Sequence, residues 1–404
     1  MKKLLQIKCV GTHGGAGMGE YIGRTAKEHG WESYIAYARI MLPTENKFIR
    51  IGNKWDVFEH ILETRLFDNH GFASRRATKK LIKQIEQIKP DVIHLHNIHG
   101  YYINIDILFK FLLRSKIPVV WTMHDCWMFT GLCSHFVSVG CNKWKSHCGK
   151  CPLYNYYPAS WFVDRSYTNY EKKRALFTSL EKLWLVPVSK WIADFLPDSF
   201  MSKYPVKLIY NGVDVKIFKP LSVKESDDTR RKLNLEGKFV VLGVAHTWSA
   251  TKGLNDFIEV SRKVESDFVF VLVGLSEDQI KILPSNIIGI KRTSNINELV
   301  ELYSVADVFW NPTYIDTFPT TTLEAMACGT PCVVYKTGGT PEAITIGTGF
   351  VVDQGDIPGS LDAFYKIKGN GKAKYTELCR QNVLERFNKD IQFEEYIKLY
   401  ESIS

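Results

Sequence analysis

No stretch of this 404-residue chain comes near the ~18 uninterrupted apolar residues that a membrane-spanning helix needs. The apolar start, MKKLLQIKCV, is too short for a secretory leader and reads as a first β-strand. Together these absences predict a cytoplasmic protein that meets a membrane only at its surface, if at all. Repeats and low-complexity tracts are missing too, which leaves ordinary globular domains. The second half lacks a positive excess, with 24 Lys and Arg against 26 Asp and Glu, whereas residues 1–200 carry 28 against 17. The net charge of +9 therefore sits in the first half. That suits an anionic partner there, such as a phosphate or an anionic membrane face, or simply a solvated basic surface. No recognised nucleic-acid module accompanies the charge, which argues against nucleic acid. Nine cysteines in a reducing compartment should be thiols or metal ligands rather than disulfides.

The length suits two domains of about 200 residues each. Short apolar runs alternate with helix-length amphipathic stretches. In the first half Leu4–Val10, Ser33–Tyr37, Val92–Leu95, Ile117–Trp121 and Leu185–Val188 read as strands. The rhythm restarts with strands at Phe239–Val244, Phe268–Val273, Ile287–Ile290, Val308–Trp310 and Pro331–Tyr335. Strand-then-helix alternation implies parallel sheets with right-handed crossovers. The predicted fold is α/β, two doubly wound Rossmann-like domains facing across a cleft. The expected domains are 1–200, with a cysteine-rich insertion at 126–152, and 201–385. A C-terminal helix over 386–404 would pack back on the first. Open α/β sheets bind ligands beyond the carboxyl ends of their strands, so function is sought in the strand-to-helix loops.

The loop after Val308–Trp310 is the most informative. It runs Asn311-Pro-Thr-Tyr-Ile-Asp316-Thr-Phe-Pro-Thr-Thr-Thr-Leu-Glu324-Ala-Met-Ala-Cys-Gly329-Thr-Pro331. A helix opens near Thr320–Thr322, and its free backbone N–H groups and positive dipole suit a phosphate. Asp316 and Glu324 flank that anion site. Carboxylates disfavour phosphate but accept strong hydrogen bonds from sugar hydroxyls. A nucleotide sugar satisfies both demands. The segment resembles the signature of glycosyltransferase family 4, an acid, seven residues, Glu, then Ala-Met-Ala-x-Gly-x-Pro. The resemblance implies the GT-B fold and retaining transfer that needs no metal or other catalytic cofactor. It assigns the nucleotide ribose to Glu324, the donor sugar to Asp316, and the distal phosphate to the backbone of Thr321, Thr322 and Leu323. The family's first acid is usually Glu, and Asp here is one methylene shorter.

Trp248-Ser-Ala-Thr-Lys252-Gly253 is similar to the family's Lys-Gly element, whose lysine neutralises the leaving diphosphate. The upstream arginine common in the family is replaced by His246 and Thr247. Arg292 and Thr293 occupy the loop where the family seats its nucleobase. Tyr210-Asn-Gly-Val-Asp214 is similar to the family's interdomain turn.

In the first half, a Gly-rich loop, Gly11-Thr-His-Gly-Gly-Ala-Gly17-Met-Gly19, follows the first strand. A dinucleotide-binding dehydrogenase would carry an acid about 20 residues on, and the second strand instead ends in Ala38-Arg39. In family 4 this loop meets the acceptor and the donor diphosphate, which singles out Gly15 and Gly17. His94, His96 and His99 line a polar cleft or, less simply, ligate a metal, and His96 is placed with the acceptor loop. The resemblance puts His124 near the reacting end of the donor sugar, making His124 and Asp316 the catalytic candidates. A structural His124 bonded to Asp125 is the plainer reading. Ser189 matches a position at the cleft floor.

Five cysteines crowd into Cys126–Cys151. Cys133, Cys141, Cys148 and Cys151 have spacing that fits a structural zinc, with free thiols or a disulfide as alternatives. The segment is similar to an insertion in family members of the colanic-acid and surface-polysaccharide branch, and is expected to cover the acceptor side. Arg75, Arg76, Lys79, Lys80 and Lys83 give one helix a basic face for an anionic membrane or for water. The expected function is transfer of a hexose or N-acetylhexosamine from a UDP- or GDP-sugar to a lipid-diphosphate-linked or oligosaccharide acceptor. Another GT-B reaction, epimerisation or phosphorolysis, and an inactive binding homologue are the alternatives.

Overall fold

The computed structural model describes residues 1–10, 17–39 and 44–404. They form two compact units, Met1–Tyr210 with Phe393–Ser404, and Asn211–Gln392. The second unit thus opens at Asn211, ten residues past the expected division.

The first unit holds a six-stranded sheet of β1 (Lys3–Val10), β2 (Glu32–Arg39), β3 (Lys47–Arg50), β4 (Val92–Leu95), β5 (Val119–Met123) and β6 (Leu183–Pro187). All pairings are parallel, in the order β3-β2-β1-β4-β5-β6. Central β1 has Leu4, Leu5 and Ile7 fully buried, as expected of a strand covered on both faces. The helix Met18–Glu28 presents Ile22 and Ala26 to one face, joined there by Tyr396 and Tyr400 of the terminal helix Lys389–Ile403. The helices Arg75–Ile88 and Ile105–Ser115 bury Leu81, Ile85, Leu108 and Leu112 in the cluster on the other face. The edge strand β3 escaped sequence reading because four residues with a single buried side chain, Ile49, make no periodic signal.

The second unit repeats the plan with β7 (Phe239–Val244), β8 (Phe268–Val273), β9 (Ile287–Ile290), β10 (Val308–Asn311), β11 (Cys332–Tyr335) and β12 (Gly349–Val352). Its order is β9-β8-β7-β10-β11-β12, again all parallel. Both sheets therefore reverse strand order once, between β1 and β4 and between β7 and β10. The helix Leu254–Ser261 lies tight on β7. A Cβ at Gly243 would meet the Phe257 ring at 2.5 Å, and that ring packs 4.4 Å from the centroid of Trp310 on β10.

The Asn-Gly-Val-Asp turn is fixed by the start of the terminal helix. Val213 N–H bonds Phe387 O and Lys389 N–H bonds Val213 O, at 2.8 and 3.0 Å. The buried Lys389 ammonium pairs with the Asp214 carboxylate, which also accepts the Lys216 and Ile217 amides. No helix among the described residues is long and apolar enough to cross a membrane.

Candidate active site

Where a parallel sheet reverses its strand order, the adjoining loops diverge and leave a crevice at the carboxyl ends. In the second unit those loops follow β7 and β10, and close backbone packing locks them together. Gly253 has φ +77°, and a Cβ there would lie 2.4 Å from Pro312 O. Tyr314 N–H bonds Thr251 O at 2.9 Å. Lys252 Nζ then reaches Asp316 Oδ2 at 2.8 Å. Gly338, at φ +54°, closes over the same loop, since a Cβ there would fall 1.8 Å from Asp316 O. The two side chains of the pair are 35% and 22% exposed, so the contact adds little stability. Its consequence is placement: one cation and one carboxylate share a spot at the strand-order reversal.

The helix Thr320–Ala327 begins directly after this loop. Its N-cap is Pro319, which supplies no side-chain acceptor, so no capping side chain competes with an anion for the first-turn N–H groups. Thr322 and Leu323 are fully buried, and Thr322 Oγ1 accepts from Asn311 Nδ2 at 3.2 Å. These two positions can therefore offer a ligand only their backbone. Thr321 is half-buried. Glu324 is also half-buried, and its Oε2 accepts the Tyr303 hydroxyl at 2.9 Å. Burial pushes the Glu324 carboxyl up to about 7, against the Tyr303 and Thr320 hydrogen bonds that favour its charged form. Arg292 and Thr293 follow edge strand β9, exposed and half-buried respectively.

In the first unit, the reversal between β1 and β4 gathers a row of polar groups. Gln6 Nε2 donates to Gly19 O at 2.8 Å. A carbonyl only accepts, so the other end of this amide is the oxygen, and it faces His96 Nε2 at 3.1 Å. His96 must then carry its proton on Nε2 and accept at Nδ1. His124 Nε2 lies 3.3 Å from that Nδ1 and supplies the hydrogen. His124 is thereby the Nε2–H tautomer. Burial, then Lys8, lowers its pKa to about 4. Burial also takes His94 and His96 well below the ordinary range, so the row is neutral at pH 7. His94 lies between Thr122 Oγ1 at 2.7 Å and the Tyr400 hydroxyl at 2.7 Å.

The plainer expectation for His124, a bond to Asp125, is not what forms. Asp125 pairs with His99 Nε2 at 2.7 Å, and His99 holds its carboxyl low despite burial. Ser189 is buried and caps the turn Lys190–Ala193 through a 3.4 Å bond from Ile192 N–H. Gly17 precedes the first helix at φ −70°, a conformation open to any residue. Gly15 lies outside the described residues. Sequence reading missed Gln6, Tyr303, Thr122 and Tyr400. Gln6 and Lys8, two polar residues on one face of a buried strand, were the available signal for the first of these.

The zinc expectation is not supported. Among the described residues no group of three or more His, Cys, Asp or Glu is arranged to hold a metal ion. Cys133, Cys141, Cys148 and Cys151 line one small cavity, in which Cys133 bonds Cys151 and Cys148 Sγ accepts the Gly131 amide at 3.2 Å. The segment has other supports. Phe129, Phe136, Trp144 and Phe195 pack ring on ring. Buried Lys173 donates to Trp127 O and Thr130 O at 2.8 and 2.9 Å.

A family model described as Glycosyltransferase Family 4 matches residues 20–217, and one described as Glycosyl transferases group 1 matches residues 238–367. The chain belongs to glycosyltransferase family 4. This glycosyltransferase is 23% identical over 336 residues to the putative colanic acid biosynthesis glycosyl transferase WcaC of Escherichia coli K12, covering 78% of this chain and 77% of the relative. Over 142 residues it is 31% identical to a Campylobacter jejuni N,N'-diacetylbacillosaminyl-diphospho-undecaprenol alpha-1,3-N-acetylgalactosaminyltransferase, covering 33% of this chain and 37% of the relative. Among solved structures, a glycosyltransferase from Rickettsia africae ESF-5 superposes with TM-score 0.71 at 17% identity, over 100% of this chain and 98% of that one. Anabaena Alr3699/HepE in complex with UDP gives 0.70 at 16%, over 100% of each chain. These likenesses establish the GT-B fold.

The Tyr303 bond to Glu324 has a direct consequence. Tyr303→Phe removes a donor that favours the carboxylate, so the Glu324 titration, followed by ¹³C NMR, should move upward by about one pH unit. An unchanged or lower midpoint would show that Tyr303 does not tune this group.

Proposed function

We propose that the protein transfers a hexose or N-acetylhexosamine, with retention, from a UDP- or GDP-sugar to a lipid-linked or oligosaccharide acceptor of surface-polysaccharide synthesis. The observation that carries this reading is the Lys252–Asp316 contact at the uncapped start of the helix Thr320–Ala327, with Glu324 one turn further on. Lys252 and the helix N–H groups neutralise the departing diphosphate, where most of the transition-state charge gathers. Asp316 takes a hydroxyl of the donor sugar, and Glu324 accepts from the ribose. His124, a neutral imidazole, is the first unit's candidate for contact with the donor sugar. No step in this scheme requires a metal. Two relatives, named for colanic acid biosynthesis and for transfer to a diphospho-undecaprenol-linked sugar, support the class of product.

The helix Arg75–Ile88 supports peripheral docking on an anionic membrane, where such an acceptor would reside. It buries Ala77, Leu81 and Ile85 while Arg75, Arg76, Lys79, Lys80 and Lys83 are exposed. The protein should float with vesicles containing anionic lipid. Replacing Lys79, Lys80 and Lys83 with glutamate should release it, and flotation unaffected by that change would remove this part of the reading.

Donor hydrolysis by the purified protein, across a panel of UDP- and GDP-sugars, tests the central scheme. Lys252→Ala and Glu324→Ala should each lower the rate on the preferred donor by ~100-fold or more. Unchanged turnover in both variants would overturn the assignment. Ribose binding by the Glu324 carboxylate also sets a pH dependence. Its acid form dominates below about 7. UDP affinity measured by calorimetry should therefore rise from pH 6 to 8, and the rise should flatten in Glu324→Gln.

A further inference from the structure

The carboxyl end of β2 carries a cation with no counter-ion among the described residues. Arg39 closes that strand, and its Nε and Nη2 are enclosed yet donate to nothing among the described residues. The guanidinium lies 5.4 Å from the centroid of the Tyr101 ring, and its charge is felt by Cys9, His60 and Tyr157. Each of these neighbours is neutral near pH 7. Burial pushes the Cys9 thiol up to about 11 and His60 down to about 3. Burial raises Tyr101 and Tyr157 as well, so both keep their hydroxyl protons. No carboxylate pairs with Arg39 among the described residues, and residues 11–16 and 40–43 contain no Asp or Glu.

Tyr101 adds a second unmet donor. Its hydroxyl is buried with no partner among the described residues, and its backbone stands at φ +67°, a conformation that costs a non-glycine residue ~1–2 kcal/mol. The loop bearing it is pressed against β1, where a Cβ at Gly100 would lie 2.4 Å from Cys9 Sγ. Arg39 and Tyr101 thus sit together at the same edge of the sheet as His96 and His124. Enclosing two guanidinium nitrogens and a phenol hydroxyl without partners is unfavourable for folding alone. A ring face 5.4 Å away offsets only part of that. Guanidinium and phenol donors together match the oxygens of a phosphate or a carboxylate.

We propose that Arg39 and Tyr101 form an oxyanion subsite in the first unit, one that holds a phosphate or carboxylate group of the glycosyl acceptor. The acceptor assignment rests on the transfer reading above, while the anion site rests only on the unpaired donors.

The test uses the full chain saturated with UDP, so that the second unit's site is filled. Calorimetric titration is run separately with inorganic pyrophosphate, standing for a lipid diphosphate, and with glucuronate, standing for an acidic sugar. The wild type should bind one of them. Pyrophosphate binding alone identifies a phosphate-bearing acceptor, and glucuronate binding alone an acidic one. Arg39→Met should weaken that binding at least tenfold and leave the melting temperature equal or higher, because an unpaired charge has been removed. Tyr101→Phe should weaken it less, and Arg39→Lys should fall between. Failure of both probes to bind the wild type would overturn the proposal. So would an Arg39→Met protein that melts several degrees lower and binds normally, which would mark a structural arginine. Binding is read without turnover, so this outcome and the donor-hydrolysis outcome are independent.

Discussion

A parallel sheet sends every strand-to-helix loop out at one edge, and a reversal of strand order makes two of those loops part. The rest of this molecule depends on that constraint. It applies twice, between β1 and β4 and between β7 and β10. In the second unit, loops separated by over sixty residues end with Lys252 and Asp316 in contact. Gly253 and Gly338 make this close approach feasible, because a side chain at either would strike the opposing backbone. The helix that follows adds its own field at the same place.

The first unit treats charge differently. Its reversal point is built from neutral imidazoles joined to Gln6, Thr122 and two tyrosines of the terminal helix. Burial keeps these rings uncharged, and the hydrogen bond from Gln6 to the Gly19 carbonyl dictates where the His96 and His124 protons sit. Arg39 stands on the same edge, with two guanidinium nitrogens that find no partner among the described residues.

Much of this could be read from residues alone. Four strands, β4, β7, β8 and β9, stand at their expected limits, since each is a short apolar run bounded by turn residues. The acid-x₇-Glu segment located Asp316 and Glu324 because a helix start with flanking acids is a local pattern. What stayed hidden was long-range. The Lys252–Asp316 contact, the Tyr303 bond to Glu324 and the Tyr400 bond to His94 join residues 64, 21 and 306 positions apart. The cysteine spacing does bring Cys133, Cys141, Cys148 and Cys151 to one small cavity, but spacing alone does not make a metal site. Here an aromatic cluster and Lys173 order the segment, and no metal-holding group forms among the described residues.

The central claim is that the donor's diphosphate lies at the start of the helix Thr320–Ala327 with its ribose on Glu324. A crystal structure of the protein soaked with its preferred nucleotide sugar tests it most directly. The account predicts phosphate oxygens within hydrogen-bonding distance of Lys252 Nζ and of the Thr321–Leu323 amides, with ribose hydroxyls on the Glu324 carboxylate. A nucleotide seated elsewhere, with these groups untouched, would contradict it.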